Sequence, residues 1–350
     1  MTEELTTWPD LLTTLCSGGD LSSAETSWVM DRVMQGEASP ARLAAFLAAL
    51  RVKGETAPEM QGLADTMLSH AIRFEVEGPS LDIVGTGGDR AHTVNISTMS
   101  SVVAASAGVP VVKHGNRAAS SSSGSADVLE ALGVRLDATP EDVVRIFHEV
   151  GITFCFAVTF HPSFRHSAEV RRDLGIATAF NFLGPLTNPA QPQYAAVGVA
   201  DARMAPLVAG VFAGRGKDAA VFRGDDGLDE LTTSGSSSVW WVRDGRVQQF
   251  GLSPEMVGLS THPVSELRGA DAQHNADVAR RLFDGEEGAA RVAVLLNAGT
   301  ALAVATEAEQ PTSQDEFVAL VSDGVARAAE AIDSGSATAL LGRWAAATGA

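Results

Sequence analysis

With 350 residues, 45% hydrophobic and 19% charged, the chain has material for a substantial core and, at ~150 residues each, for two domains. Lys and Arg number 25 against 43 Asp and Glu, a formal net charge of −18 that opposes the long-range attraction used by non-specific nucleic-acid and lipid-surface binders. Two cysteines, Cys16 and Cys155, make neither a disulfide framework nor a zinc site and suit a reducing cytoplasm; the acidic start lacks a signal-peptide core, and no run reaches the ~18 apolar residues of a membrane span.

In chain order, the first signals are helical. Ser39-Pro40 sets a capping hydroxyl before a proline at the first helical position, and Leu43, Phe46, Leu47 and Leu50 follow on one face. Thr56-Ala-Pro-Glu59 has capping-box spacing and leads into Met60, Leu63, Ala64 and Met67 at the same period. A small all-helical unit is expected over 1–76. From Leu81-Asp-Ile-Val84 onward, short β-like runs alternate with helical stretches: Val109 to Val112, a helix near Asp127 to Leu132, Ile152 to Phe156, Ala195 to Val199 and Ala219 to Phe222. That alternation predicts an α/β unit over 77–350 with crossover helices. A hairpin is predicted at Val239 to Phe250 around Asp244-Gly245, and from Arg291 the chain reads as mostly helical.

Four segments have chemical character. Gly85-Thr-Gly-Gly-Asp89 follows an apolar run and precedes Thr93 and Asn95-Ile-Ser-Thr98, so glycine amides and a helix N-terminus could cradle a phosphate. It is neither a Walker A loop nor a Rossmann fingerprint, and alone it equally fits a strand-to-helix turn. Lys113-His-Gly-Asn-Arg117 with the serine run Ser120 to Ser125 supplies cations and hydroxyls for a polyphosphate, in a window that is locally neutral within an acidic chain. Asp229-Glu230 offers hard oxygen ligands for Mg²⁺, although an isolated acidic pair also fits a solvated turn. Arg171-Arg172 could clamp a carboxylate through a planar guanidinium, or simply be surface helix charge.

Together these segments, with Phe180-Asn-Phe-Leu-Gly-Pro-Leu-Thr-Asn-Pro189, Gly227-Leu-Asp-Glu230, Asn275-Ala and Leu295-Leu-Asn297, resemble the anthranilate phosphoribosyltransferases in order over nearly the whole chain. The resemblance implies a small helical domain hinged to a larger α/β domain with a central, mostly parallel sheet, as in nucleoside phosphorylases, and a segment near 165–190 that returns to the helical unit. It implies transfer of phosphoribosyl from phosphoribosyl pyrophosphate (PRPP) to the amino nitrogen of anthranilate in tryptophan biosynthesis, by a cytoplasmic homodimer. By match to the family, Gly85, Gly88, Asp89, Thr93, Asn95, Ile96, Ser97 and Thr98 form one PRPP-binding segment. Lys113, His114, Gly115, Asn116, Arg117, Ala118, Ala119, Ser120 and Ser121 form the second. Ser97, Asp229 and Glu230 match the ligands of Mg²⁺, two ions per site, and Gly85, Asn116 and Arg171 flank anthranilate.

The implied chemistry needs no covalent nucleophile. It needs an acceptor for the amine proton, for which His114 and His161 are candidates. Two positions depart from the family pattern: Arg223 where a histidine is frequent, and Ala177 where an arginine often precedes Thr178. Neither belongs to the segments above, so they bear on fine substrate contacts and not on the reaction. The competing readings are a pyrimidine nucleoside phosphorylase of similar architecture and a catalytically idle relative that binds nucleic acid; the net charge opposes the second.

Overall fold

The computed structural model describes residues 6–117 and 123–349. The N-terminal part is a helical bundle of α1 (Trp8–Cys16), α2 (Ser23–Met34), α3 (Pro40–Lys53) and α4 (Ala57–Ser69). Ser39 caps α3 with Pro40 behind it, and Thr56 and Glu59 close a capping box on α4. Glu59 does more than cap. Its fully buried carboxylate accepts from the Leu21 N–H at 2.8 Å, Lys53 Nζ at 2.8 Å and the Thr56 N–H at 2.8 Å, tying three segments of the bundle together. Glu59→Gln keeps the shape and removes the charge, so it should lower the unfolding free energy by about 1.5–3 kcal/mol, read as an earlier denaturant midpoint at unchanged slope.

The rest of the chain builds a seven-stranded sheet in the order β3-β2-β1-β4-β5-β6-β7. In sequence the elements are β1 (Leu81–Gly85), α5 (Ile96–Ser106), β2 (Val111–Gly115), α6 (Ser125–Ala131), α7 (Pro140–Val150), β3 (Ile152–Phe156), the short α8 (Ala157–Phe160), α9 (Ala168–Leu174), β4 (Tyr194–Gly198), α10 (Met204–Gly214) and β5 (Asp218–Gly224). These five strands are parallel. The antiparallel β6 (Ser237–Arg243) and β7 (Arg246–Leu252) extend one side, joined by Asp244-Gly245 with both residues at positive φ, the geometry of a two-residue hairpin. Helices α11 (Ala272–Phe283), α12 (Ala289–Val304), α13 (Gln314–Asp333) and α14 (Ser336–Gly349) complete the α/β domain.

The strand expected at Val109 to Val112 lies later, at Val111–Gly115. Pro110 has no N–H for a ladder, and the strand instead continues through Lys113 and His114, both almost fully buried. Two large cores flank the sheet. One joins α5 and α11–α14 to one face; the other runs unbroken from the bundle through Val197, Val208 and Val221. Phe180, Phe182, Leu183 and Leu186 belong to this second core, and α9 packs on α3. Arg171, on α9, therefore rides on an element held by the helical bundle.

Candidate active site

After β1 the chain adds β2 and β3 on one side, then crosses back to add β4 and β5 on the other. Such a reversal leaves a crevice outside the C-terminal ends of β1 and β4. Both strands end there in glycine, Gly85 paired with Gly198. The reason is steric: a Cβ on Gly85 would overlap the Asp229 carboxylate, and one on Gly198 would overlap the Asp229 main-chain carbonyl. Asp229 thus occupies the notch between two strand tips. Beyond Gly85, Gly87 and Gly88 take positive φ, and the Gly87 N–H donates to Asp229 Oδ2 at 2.6 Å.

The acidic pair is not a solvated turn. Asp229 and Glu230 are 9% and 8% exposed, and Asp89 crowds them from the glycine turn. Burial first, and the Asp89 charge second, push Asp229 up to about 7. Burial and the neighbouring Asp229 push Glu230 well above the carboxylate range, opposed by Lys113 and by a hydrogen bond from the Ser97 main chain. Lys113, 1% exposed on β2, donates from Nζ to the Ile83 carbonyl at 2.5 Å and reaches Ser97 Oγ at 3.4 Å. Its own burial lowers it to about 8, against the opposing pull of Asp82 and Glu230. The result is two buried carboxylates, crowded by the half-buried Asp89 and with one buried ammonium close by, a set of hard oxygen donors short of positive charge. Among the described residues, no three His, Cys, Asp or Glu side chains stand as a ready-made metal cage.

The other expected site residues divide. Asn95 is held by Asn275, whose Nδ2 donates to Asn95 Oδ1 at 2.9 Å, and Asn95 in turn donates to the Ser123 carbonyl at 3.1 Å. Thr93 pairs by main chain with Arg268. Ile96 and Thr98 are turned away: their side chains are in the core, and their N–H groups are bonded to the Val94 and Asn95 carbonyls. Arg117 faces α6, paired with Asp127 at 2.9 Å and Glu130 at 2.5 Å. Ala118, Ala119, Ser120 and Ser121 lie outside the described residues. Arg223 donates from Nε to the Ala200 carbonyl at 2.9 Å, tying the end of β5 to the loop after β4, and Ala177 is exposed.

On the far side of Gly85 opens a cavity of 580 Å³, walled by Val84, Thr86, Gly115, Asn116, Phe164, Phe180 and Arg171 among others. Arg171 stacks on the Phe164 ring at 5.1 Å and, among the described residues, makes no ion pair; burial lowers its pKa. A cation held over an aromatic face in an apolar wall is suited to a planar anionic ligand. Arg172, its neighbour, is exposed beside Asp173.

His114 and His161 form the floor, with rings 5.3 Å apart. Each donates one ring N–H to a carbonyl: His114 Nδ1 to Gly184 at 3.0 Å, His161 Nε2 to Thr187 at 2.8 Å. Carbonyls accept only, so the tautomers are fixed, and the buried His114 Nε2 and His161 Nδ1 have no hydrogen-bond partner among the described residues. Burial lowers His114 to about 3, with His161 adding to it, and lowers His161 to about 4. Between pH 6.5 and 4 the unfolded chain binds protons that the folded chain refuses, so stability is full above the unfolded pKa and is lost as pH falls. Each histidine contributes a slope of up to about 1.4 kcal/mol per pH unit. His161→Asn should flatten the fall in unfolding free energy between pH 6.5 and 4.5 by one such proton; parallel curves in denaturant titrations would refute this.

The family profiles for the helical bundle domain and the a/b domain of the glycosyl transferase family match residues 9–71 and 77–338. An anthranilate phosphoribosyltransferase of Streptomyces griseus subsp. griseus is 60% identical over 343 residues, covering 98% of this chain and 96% of that protein. The chain belongs to the anthranilate phosphoribosyltransferase family. A second family relative, from Nocardioides sp., is 57% identical over 98% of this chain and 99% of its own length. The crystal structure of the anthranilate phosphoribosyltransferase from Thermus thermophilus superposes with a TM-score of 0.89 at 41% identity, covering 97% of this chain and 100% of that one. The Saccharomyces cerevisiae anthranilate phosphoribosyltransferase in complex with PRPP and Mg superposes with a TM-score of 0.86 at 27% identity, covering 98% of each chain.

In this family member the sequence motifs assign no individual role to Asp82, Asn188, Phe164 or Thr86, although Thr86 and Asn188 lie inside the Gly85–Asp89 and Phe180–Pro189 segments. Asp82, 2% exposed, accepts from the His114 N–H at 3.0 Å and from Asn188 Nδ2 at 2.9 Å, locking the end of β2 to the Gly184–Thr187 wall. The signal was present, since a carboxylate inside the run Leu81-Asp-Ile-Val84 has no solvent to face. Burial pushes it up to about 6. Phe164 carries no local signal.

Proposed function

We propose that the chain transfers the phosphoribosyl group of PRPP to the amino nitrogen of anthranilate, releasing pyrophosphate, as a step of tryptophan biosynthesis. One juxtaposition carries the reading: the crowded carboxylates at the strand tips and, across Gly85, a largely apolar cavity whose wall holds Arg171, which makes no ion pair among the described residues. The 60% identity to a relative of that name, over almost the whole of both chains, supports the same reaction.

In this reading Gly85, Gly88, Asp89, Thr93, Asn95 and Ser97 form the first donor segment, with Ile96 and Thr98 only its buried backing, and Lys113 to Ser121 form the second. Ser97, Asp229 and Glu230 would hold Mg²⁺, as two ions, and the excess of buried carboxylate over ammonium is the reason they suit it. Bound there, Mg²⁺ supplies positive charge for the departing diphosphate. The chain's own residues do the rest. Lys113, aimed by the Ile83 carbonyl, adds fixed positive charge beside Ser97. Arg171 clamps the anthranilate carboxylate, with Asn116 and the Gly85 backbone beside the ring. His114 and His161 are the candidates to take the amine proton, but their free ring nitrogens are buried and their depressed basicity makes them poor sinks for it. Closure of a unit 1–76, joined by the segment around 165–190, upon 77–350 would bring acceptor and donor into line and exclude water.

The protein is expected to work as a homodimer in the cytoplasm; among the described residues no helix is long and apolar enough to cross a membrane. The test is loss of anthranilate fluorescence on adding PRPP and Mg²⁺, stopped by excess chelator. Undiminished, phosphate-dependent cleavage of a pyrimidine nucleoside in chelator would favour the phosphorylase alternative instead. A gel shift at physiological salt would favour the nucleic-acid-binding relative.

A further inference from the structure

Helix α12 is buried along nearly its whole length, against α5, β4 and β5, and is otherwise apolar where it passes under the acidic pair. In its middle, among Leu295, Leu296 and Ala298, stands Asn297, 0% exposed. A buried amide in such a helix must find its partners locally. Asn297 finds them mostly in one residue of another element. Its Oδ1 accepts from the Leu231 N–H at 3.1 Å, and its Nδ2 donates to the Leu231 carbonyl at 3.3 Å and to the Ala293 carbonyl at 2.9 Å. The bond to Ala293, one turn earlier in α12, fixes the amide's orientation, because a flipped amide would oppose donor to donor and oxygen to oxygen at all three contacts.

Leu231 is the residue after Glu230 and is itself fully buried. Within the pair, the peptide joining Asp229 to Glu230 sits against the strand tip at Gly198, and the Asp229 carboxylate sits against Gly85. The two carboxylates therefore hang on a short span fixed at two points, sterically at the Asp229–Glu230 peptide and by a two-point amide clasp just after Glu230. Like charges crowded in a desolvated crevice repel one another, so the span needs an anchor that adds no charge of its own. An amide satisfies that requirement; Asp or Lys at the same place would not.

We propose that Asn297 is a positioning residue that holds Asp229 and Glu230 at the spacing required to receive divalent cations. The inference rests on the reading of that pair as metal-holding. Two variants test it: Asn297→Asp, which keeps an acceptor for the Leu231 N–H but loses both donations, and Asn297→Ser, which is too short to bracket Leu231. Mn²⁺ binding is followed by electron paramagnetic resonance in the presence of pyrophosphate, without turnover. Hydrogen exchange is followed in the peptide covering 226–235, and the KM for anthranilate is measured separately. Expected are an Mn²⁺ dissociation constant raised about 10–100-fold, faster exchange in 226–235 and an unchanged KM for anthranilate. A residue that only stabilised the fold would lower the melting temperature and the active fraction, leaving the dissociation constant alone, because that constant does not depend on how many molecules are folded. Wild-type Mn²⁺ affinity in a folded variant, or failure of both variants to fold, would overturn the proposal. Failure of the wild-type protein to bind Mn²⁺ would overturn the reading of the pair itself; binding by the wild type and equal binding by the variants would overturn only the role of Asn297.

Discussion

Asp229→Asn is expected to lower kcat/KM for PRPP by about 10²–10³-fold, the ~3–4 kcal/mol that one well-placed electrostatic group contributes to a transition state. The amide oxygen can still accept the Gly87 N–H, so the glycine turn keeps its contact and only the charge is lost. The half-saturating Mg²⁺ concentration should rise, while the KM for anthranilate stays in place. Stability should move the other way. Asp229 is buried against Asp89 and Glu230, a repulsion that burial magnifies, and its removal should leave the metal-free protein as stable as the parent or more so. Steady-state kinetics across a Mg²⁺ series, paired with melting curves in chelator, check both halves. Unchanged PRPP kinetics in a folded variant would remove the acidic pair from the site.

Arg171→Ala is expected to raise the KM for anthranilate by about 10²-fold, within the ~2–5 kcal/mol that truncating one member of a desolvated charge pair costs. PRPP and Mg²⁺ dependence should be untouched, because Arg171 sits on α9 and the carboxylates sit beyond the strand tips. Arg171→Lys should recover only part of the loss: an ammonium makes a one-point contact and cannot reproduce the guanidinium stack on Phe164. The measurement is a pair of KM values, one per substrate, for each variant. A parallel rise in the KM for PRPP would mean that Arg171 holds the donor or the fold and not the acceptor.

Local signals in the sequence carried the fold a long way. The Thr56 to Glu59 capping box, the Asp244-Gly245 turn and the apolar runs of β1, β3, β4 and β5 all report on their nearest neighbours, and periodicity reads such neighbours well. Lys113 and His114 were not legible as strand residues, because charge and polarity argue for a loop until Asp82, Ile83 and Gly184 are known to satisfy them. The acidic pair was legible as chemistry but not as burial, since its desolvation comes from Gly85, Gly198 and α12, all distant in the chain. The packing of α9 on α3 was expected from the family resemblance alone, since no periodicity within either helix encodes it. Ile96 and Thr98 show the converse: a motif match names a stretch, and only the turn of the helix decides which of its members face a ligand.

The two halves of the crevice are carried by different bodies of the protein, Arg171 by a helix seated on the bundle and the carboxylates by loops seated on the sheet. Selection can therefore retune one without disturbing the other. Amino-acid changes along the α3–α9 contact would shift which aromatic acid is accepted while the handling of the activated sugar stays constant, so a descendant enzyme with a new acceptor would be reached through the bundle, and the strand tips would be the last part to diverge.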